Sequence, residues 1–328
     1  YDDEKPIMTR PKGRSADVAR QQVSDCEVPM LQPRLDHVNC PHPEGQHRMA
    51  YWSWGDAAAA QVLFCAHGLT RQGRDFDRLA SALVARSATP LRVVCPDVAG
   101  RGQSEWLPTG ALYQIPQYAS DMLALLAQLH AAAPIAQLDW VGTSMGGLIG
   151  MVLTGQPGLP LPVPVRRLVL NDVGPVIQFE ALQRIGTYLG LPARFASVEQ
   201  GAQALWMISQ SFGPHTPEQW LELSKPMLKQ DNGAWVLHYD PAIAVPFRAV
   251  TPEAAAAGEA MLWQLYDQIQ AQTLLLRGAQ SDLLSLTTAQ AMTQRGPRAK
   301  LVEFEGVGHA PTLIAADQVQ AVLDFLLG

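Results

Sequence analysis

Short apolar runs alternate with amphipathic segments of helical period along most of the chain, and this alternation restricts the fold more than any other feature. The apolar runs occupy residues 61–66, 91–95, 138–141, 167–170, 273–276 and 301–304. A continuous apolar run is typical of a strand that is buried on both faces of a sheet. Strands that alternate with helices form βαβ units. We therefore predict an α/β fold, with a mostly parallel sheet and helices on both of its faces.

The 328 residues are predicted to form one core that is interrupted by an insertion. Residues 1–35 mix charges with Pro, Gly and Ser and show no sustained period, which predicts an N-terminal tail or strap. Residues 36–175 and 268–328 carry the α/β pattern of the core. Residues 176–267 lack a convincing buried strand but are rich in aromatic and Met residues. This composition predicts a helical lid that has a small core of its own and lines part of a ligand pocket.

Charge and hydropathy exclude several classes of partner. Lys and Arg number 24 against 30 Asp and Glu, which gives a net charge of −6 with no long run of either sign. A nucleic acid partner is therefore not expected. Gly, Pro and charged residues interrupt every apolar run, so we expect no membrane span. A small neutral or mildly polar molecule is the expected ligand, and the sequence leaves the oligomeric state open.

The cysteines and histidines predict neither a disulfide framework nor a metal site. The cysteines are Cys26, Cys40, Cys65 and Cys95, without C-x-x-C spacing. This usage favours reduced thiols in a cytoplasmic protein. A neighbouring group comprises His37, Cys40, His42 and His47. Because this group has no ordered ligand spacing, we interpret it as surface polar residues and expect no metal.

The sharpest local motif is Gly142-Thr143-Ser144-Met145-Gly146, which lies directly between a predicted strand and a predicted helix. A serine at such a turn needs small neighbours, because the backbone is tightly folded there. The turn lifts the hydroxyl clear of the sheet and places the next backbone N–H at a helix N-terminus, where donors are unpaired. Ser144 is therefore the predicted nucleophile.

A serine nucleophile needs a base within hydrogen-bond reach, and the base needs a carboxylate to orient it. His309 follows the last predicted strand in a Gly-rich loop and is the predicted base. Asp282 follows the strand at residues 273–276, and we favour it as the carboxylate. Asp172 ends an earlier strand and is the alternative, although we expect it to form hydrogen bonds at the lid junction.

Further residues are predicted to bind the reacting groups. Leu69 follows the strand at residues 61–66, so the Leu69 and Met145 N–H groups are the predicted oxyanion hole. Arg71 lies just beyond that loop and is either solvated or a donor to a substrate carboxylate or hydroxyl. Trp206 and Tyr239 are the lid residues expected to contact substrate, although Tyr239 also fits a turn.

These motifs together resemble the α/β-hydrolase superfamily, in its lidded single-domain esterase and lactonase-like branch. The marks are His67-Gly68, residues 96–104, residues 142–146, Arg277-Gly278 with Asp282, and Gly308-His309, within residues 45–328. The resemblance implies Ser144 as nucleophile, His309 as base, Asp282 as its partner, and no cofactor. It does not identify a substrate.

We therefore predict a serine hydrolase that cleaves a small ester, thioester or lactone through an acyl-enzyme. Carbon–carbon bond hydrolysis and cofactor-free perhydrolysis remain alternatives, since both can use the same triad. A non-catalytic ligand-binding protein of the same fold is the alternative from another class. Labelling by a fluorophosphonate, followed by turnover assays, distinguishes an enzyme from such a binding protein.

Overall fold

A computed structural model of the protein describes residues 29–177 and 179–328. The strands are β1 Arg34–His42, β2 Gly45–Gly55, β3 Gln61–Ala66, β4 Leu91–Pro96, β5 Gln137–Thr143, β6 Val165–Asn171, β7 Arg194–Phe195, β8 Leu228–Asp231, β9 Ala234–Leu237, β10 Gln272–Gly278 and β11 Lys300–Phe304. The helices are α1 Asp77–Arg86, α2 Ile115–Ala132, α3 Met145–Gly155, α4 Phe179–Tyr188, α5 Val198–Ser209, α6 Pro217–Ser224, α7 Ala244–Arg248, α8 Pro252–Gln268, α9 Leu286–Gln294 and α10 Ala316–Leu327. Short 3₁₀ helices lie at Gly73–Phe76, Gly110–Leu112, Gln210–Phe212, Lys225–Met227 and Pro241–Ile243.

The main sheet has eight strands in the order β1-β2-β4-β3-β5-β6-β10-β11. All neighbouring pairs from β4 to β11 are parallel, whereas β1 pairs with β2 and β2 with β4 in antiparallel fashion. The prediction of a mostly parallel α/β sheet is thus confirmed. The carboxyl ends of β3, β5, β6, β10 and β11 lie along one edge, where the loops of an open α/β sheet build ligand sites.

Two buried apolar clusters cover the two faces of the sheet. One includes Tyr118 and Met122 of α2, Ile149 of α3 and Met292 of α9. The other includes Leu79 and Leu83 of α1 and residues of α10. Because the parallel strands are apolar on both faces, they require a helical layer on each side. The predicted helices on both faces are therefore present.

Strand β1 differs from the sequence prediction, which placed a tail up to residue 35 and no strand directly after it. Strand β1 begins at Arg34 and pairs with β2 in register from Arg34 opposite Ser53 to His42 opposite Gly45. Its alternation is weak because it is an edge strand with many polar side chains. The predicted tail otherwise falls mostly at positions 1–28, outside the described residues.

The sequence predicted a helical insertion at residues 176–267, and the structure differs from this prediction. The insertion contains α4 to α8, but β7, β9 and β8 also form a small antiparallel sheet. These strands are short and only partly buried, so their sequences lack the long apolar runs that mark the main sheet. A small core of the insertion packs around Leu205, Trp220 and Leu223.

Hydrogen bonds fasten the insertion to the core. The Tyr113 hydroxyl donates to the Asp240 carboxylate at 2.6 Å, and the Gly102 N–H donates to the His238 carbonyl at 3.0 Å. The Ser211 hydroxyl donates to the His309 carbonyl at 3.1 Å. The insertion therefore contacts the loop that carries the predicted base.

Cys40, Cys65 and Cys95 are buried and free, as expected for reduced thiols, whereas Cys26 lies outside the described residues. None of the helices within residues 29–177 and 179–328 combines the length and apolarity needed to cross a bilayer.

Candidate active site

Ser144 lies at the sharp turn between β5 and α3. Its backbone has φ 50° and ψ −115°, an uncommon conformation for a residue with a side chain, and such positions typically cost about 1–3 kcal/mol. The Ser144 N–H donates to the Asn171 carbonyl at 3.0 Å, which helps to hold the turn. A methyl group added at Gly146 would lie 2.0 Å from the Ala66 carbonyl oxygen, and one at Gly142 would lie 2.3 Å from the Gly146 carbonyl oxygen. The turn therefore requires both glycines.

Ser144, His309 and Asp172 form one hydrogen-bonded line. The Ser144 hydroxyl donates to His309 Nε2 at 3.0 Å, and His309 Nδ1–H donates to Asp172 Oδ2 at 2.7 Å. Asp172 is fully buried, whereas the His309 side chain keeps partial access to solvent. Donation from Nδ1 fixes the tautomer in which Nε2 can accept a proton. The arrangement can therefore transfer a proton from the serine to the imidazole.

The position of Asp172 follows from the order of the strands. Asp172 comes directly after β6, which pairs with β5 on one side and β10 on the other. Its Oδ1 accepts the Gly278 N–H at 2.9 Å, and its Oδ2 accepts the Ser281 hydroxyl at 2.6 Å. Asp172 has φ 56°, a left-handed conformation that Asp and Asn adopt more readily than most residues. These contacts orient the carboxylate towards His309.

The prediction that the Asp282 carboxylate contacts His309 is wrong. The Asp282 side chain is about half exposed, at 51%, and pairs with Arg184 at 2.6 Å. In the loop after β10, Ser281 turns inwards to Asp172, and the next residue lies at the surface. The alternative carboxylate, Asp172, contacts His309 instead. The sequence signal for Asp172 is an acidic residue placed immediately at the end of a strand, on the edge where Ser144 also lies.

The Leu69 and Met145 N–H groups are available as hydrogen-bond donors. Within residues 29–177 and 179–328, neither of them donates to a backbone carbonyl outside the regular helices and strands. Met145 is the first residue of α3, where the N–H is unpaired and the helix dipole favours an anion. A methyl group added at Gly68 would lie 3.8 Å from Ser144 Cβ, so the loop that carries Leu69 passes close to the serine.

His67 fixes the peptide that joins Gly68 to Leu69. Its Nδ1–H donates to the Gly68 carbonyl at 2.7 Å, and its Nε2 accepts the Val98 N–H at 2.9 Å. The Arg71 N–H also donates to the Gly68 carbonyl, at 3.1 Å. Because the C=O and N–H of a trans peptide point in opposite directions, fixing this carbonyl also fixes the Leu69 N–H. Burial lowers the pKa of His67 to about 3, so the neutral ring persists.

Arg101 is a buried residue of the site that the sequence did not distinguish from a solvated arginine. It is fully buried, and its Nε–H donates to the Leu69 carbonyl at 2.8 Å. Its Nη1 donates to the Ala99 carbonyl at 2.7 Å and to the Tyr118 hydroxyl at 2.9 Å. In the sequence, Arg101 is marked only by its position between Gly100 and Gly102. Arg101 therefore supports the Leu69 loop from inside the core.

A cavity of about 150 Å³ lies between Ser144 and the insertion. Its apolar lining comprises Ile185, Leu205, Ile208, Phe212, Met227 and Leu237. Tyr239, which is buried, also lines the cavity, so it belongs to the pocket wall. A larger cleft of about 560 Å³ is lined by neither Ser144 nor His309. The smaller cavity is therefore the candidate active site, and its size suits a small ligand.

Arg71 and Trp206 were both predicted to lie near the substrate, and they differ in their contact with the cavity. Arg71 lines the cavity, but its Nε and Nη2 each donate to Asp75 at 2.7 Å, and Nη2 also donates to the Leu223 carbonyl. Trp206 does not line the cavity; its ring packs edge to face against Trp220 at 5.0 Å between centroids. The prediction for Trp206 is corrected, since its apolar ring contributes to the small core of the insertion.

Cys40 and His47 are buried rather than at the surface. His47 Nε2 lies 3.1 Å from Asp121 Oδ2, and Gln117 Nε2 donates to Asp121 Oδ1 at 2.7 Å. One potential ligand atom each from Cys40, His47 and Asp121 lie within 4.8 Å of one another. The sequence interpretation missed this cluster because Asp121 comes from α2, far along the chain. The pair of His47 and Asp121 ties the β1–β2 hairpin to that helix.

A serine, an imidazole and a buried carboxylate in one hydrogen-bonded line, at the strand ends of such a sheet, are the arrangement of an α/β hydrolase. Residues 62–324 match the model of the alpha/beta hydrolase family. The chain therefore belongs to this family and is a hydrolase.

Known proteins of this fold include relatives at several levels of similarity. The chain is 54% identical over 300 residues to a 3-hydroxybutyrate-oligomer hydrolase from Cupriavidus necator. This alignment covers 90% of this chain and 98% of that protein. The chain is 33% identical to an alpha/beta hydrolase from Novosphingobium aromaticivorans, with a TM-score of 0.75 and coverage of 91% and 100%. An esterase from Mycobacterium tuberculosis is 21% identical, with a TM-score of 0.61 and coverage of 90% and 89%, and shares the fold.

Proposed function

We propose that the protein is a serine esterase that hydrolyses the ester bonds of short 3-hydroxyacid oligomers. The observation that carries this proposal is the line of Ser144, His309 and Asp172 at the mouth of a small, largely apolar cavity. The substrate class is supported by the 54% identity to the C. necator protein, whose name describes a 3-hydroxybutyrate-oligomer hydrolase.

Acylation begins when the Ser144 hydroxyl transfers its proton to His309 Nε2 and Ser144 Oγ bonds to the ester carbonyl carbon. The carbonyl oxygen becomes an oxyanion, which accepts hydrogen bonds from the Leu69 and Met145 N–H groups. The Asp172 carboxylate keeps the ring oriented through Nδ1–H and stabilises the imidazolium. In this proposal Asp172 takes the role that the sequence analysis gave to Asp282.

The tetrahedral intermediate then collapses. The bond between the carbonyl carbon and the leaving oxygen breaks, and His309 Nε2–H donates its proton to that oxygen, which leaves as an alcohol. A water molecule, activated by the neutral His309, attacks the acyl-enzyme and releases the acid and the free Ser144. These steps use side chains, backbone amides and water and need no cofactor.

The cavity supports short substrates. A volume of about 150 Å³ is smaller than the ~300–1,000 Å³ typical of sites for drug-sized ligands. Its apolar wall suits the methyl and methylene groups of a 3-hydroxyacid unit, because transferring such groups out of water is favourable. The lining residues Arg184 and Ile208 are about half exposed, so further units of an oligomer can extend into solvent on this side.

The test is hydrolysis of the linear dimer and trimer of 3-hydroxybutyrate by the purified protein, followed by chromatography of the released monomer. We expect multiple turnovers, and we expect Ser144→Ala to lower kcat by about 10⁴-fold or more. A fluorophosphonate should label the wild-type protein but not Ser144→Ala. Turnover of p-nitrophenyl esters without turnover of the oligomers would contradict the substrate class. Tight oligomer binding without turnover would contradict the proposed enzyme and favour a binding protein.

A further inference from the structure

Arg184 places a cationic side chain at the wall of the Ser144 cavity. It belongs to α4, and Arg184, Ile185 and Tyr188 of this helix all line the cavity. The guanidinium pairs with Asp282 at 2.6 Å, and the two side chains are 45% and 51% exposed. The ion pair is therefore at the solvent-exposed edge of the same cavity that contains the reacting serine.

The two arginines that line this cavity differ in how firmly they are held. Arg71 is buried and donates twice to Asp75 and once to a backbone carbonyl. Arg184 has an exposed carboxylate as its partner, and an ion pair of this kind contributes little to stability. Replacing Asp282 by another carboxylate therefore costs little. Among the described residues, Arg184 is the arginine of this cavity that is free to exchange its partner.

The substrate of the proposed function supplies such a carboxylate. A linear 3-hydroxyacid oligomer is uncharged along its ester backbone and ends in one free carboxylate. When the last ester bond of the oligomer lies at Ser144, this carboxylate is two carbons away from the carbon that bears the leaving oxygen. A guanidinium presents its donors in a planar fork that matches a carboxylate. The other arginine of the described lining, Arg71, is already paired with Asp75.

We propose that Arg184 binds the terminal carboxylate of the substrate in exchange for Asp282 and so selects acid-ended oligomers over esterified ones. This inference rests on the proposed function. Asp282, which does not touch the triad, acts here as an internal competitor that occupies Arg184 when the cavity is empty. Its removal should favour acidic substrates, which is the opposite of the effect expected for a triad carboxylate.

The test compares the 3-hydroxybutyrate dimer as the free acid with the methyl ester of the same dimer. We expect Arg184→Ala to raise KM for the acid by about 2- to 5-fold, the value of a solvent-exposed ion pair, and to raise KM for the methyl ester less. Asp282→Asn should lower KM for the acid and leave kcat for both substrates unchanged. The matched control is Arg194→Ala, which removes another exposed ion pair of the insertion, with Asp231, and does not border the cavity.

Equal effects of Arg184→Ala on both substrates would overturn the inference, because they would show a structural role for Arg184. A rise in KM for the acid after Asp282→Asn would overturn it as well. If wild-type protein hydrolyses neither form of the dimer, the proposed function fails and the inference fails with it. Hydrolysis of both forms without discrimination by Arg184 would overturn the inference alone.

Discussion

The proposed oxyanion hole depends on a peptide that His67 holds in place. Replacing His67 by Ala removes the Nδ1–H donor to the Gly68 carbonyl and the Nε2 acceptor of the Val98 N–H. The Arg71 N–H remains as the other donor to the Gly68 carbonyl. We therefore expect the peptide to lose its preferred orientation while the loop as a whole keeps its path.

The magnitude follows from the two functions of the ring. Loss of one oxyanion donor typically lowers kcat by about 10²- to 10³-fold, and partial loss of orientation at Leu69 places His67→Ala near the lower end. His67 is fully buried and does not line the cavity, so KM should change little. The variant also leaves one buried donor and part of a buried acceptor without a partner, which costs about 1–3 kcal/mol of unfolding free energy for each group.

The assay separates catalysis from stability. Urea unfolding gives the loss of stability, and kcat is measured at a temperature where the variant is fully folded. The inhibition constant of a boronic acid, which mimics the tetrahedral intermediate, should rise in parallel with the fall in kcat, whereas that of a ground-state ester analogue should not. An unchanged kcat in the folded variant would refute the link between His67 and the Leu69 N–H.

Two further predictions concern stability. The pKa of His67 is about 3 in the folded protein against an ordinary value of 6.5, so the unfolded chain alone takes up this proton as the pH falls below 6.5, and stability falls by about 1.4 kcal/mol per pH unit down to the folded pKa. Burial raises the pKa of Asp97 to about 6, so its protonation affects stability in the opposite sense. The measurement is therefore the difference in unfolding free energy between wild type and His67→Gln, from urea unfolding at several pH values. Parallel pH profiles of the two proteins would contradict the prediction. Gly146→Ala should destabilise the protein by about 3 kcal/mol, because its methyl group would lie 2.0 Å from the Ala66 carbonyl oxygen. Gly258→Ala, in open space on α8, should stabilise it by about 0.5–1 kcal/mol. Equal changes in melting temperature for the two variants would contradict this prediction.

The parts of the fold that depend on local pattern were predictable from the sequence. Buried parallel strands are apolar throughout, so the main sheet was visible as a series of apolar runs. The turn at Ser144 was also visible, because the glycines that it requires lie within two residues of the serine. Strand β1 and the small sheet of the insertion were missed, because their strands are polar or short and owe their pairing to tertiary contacts.

The partner of His309 shows why the rest of the site could not be predicted. Asp172 and Asp282 both follow strands whose ends lie on the correct edge of the sheet. Which of the two carboxylates contacts His309 depends on the direction in which each loop turns. This direction is set by contacts between distant parts of the chain, such as the hydrogen bond from Ser281 to Asp172. Trp206 illustrates the same limit, since an aromatic residue of the insertion can face its own core or the cavity.

In the proposed mechanism Ser144, His309 and Asp172 act as one catalytic unit. The most direct test is to measure kcat for ester hydrolysis by Asp172→Asn and Asp282→Asn side by side. Asparagine preserves the size of the side chain but removes the charge that supports the imidazolium. We predict that Asp172→Asn lowers kcat by about 10⁴-fold and that Asp282→Asn leaves kcat unchanged. The reverse pattern, with activity lost in Asp282→Asn and retained in Asp172→Asn, would contradict the account.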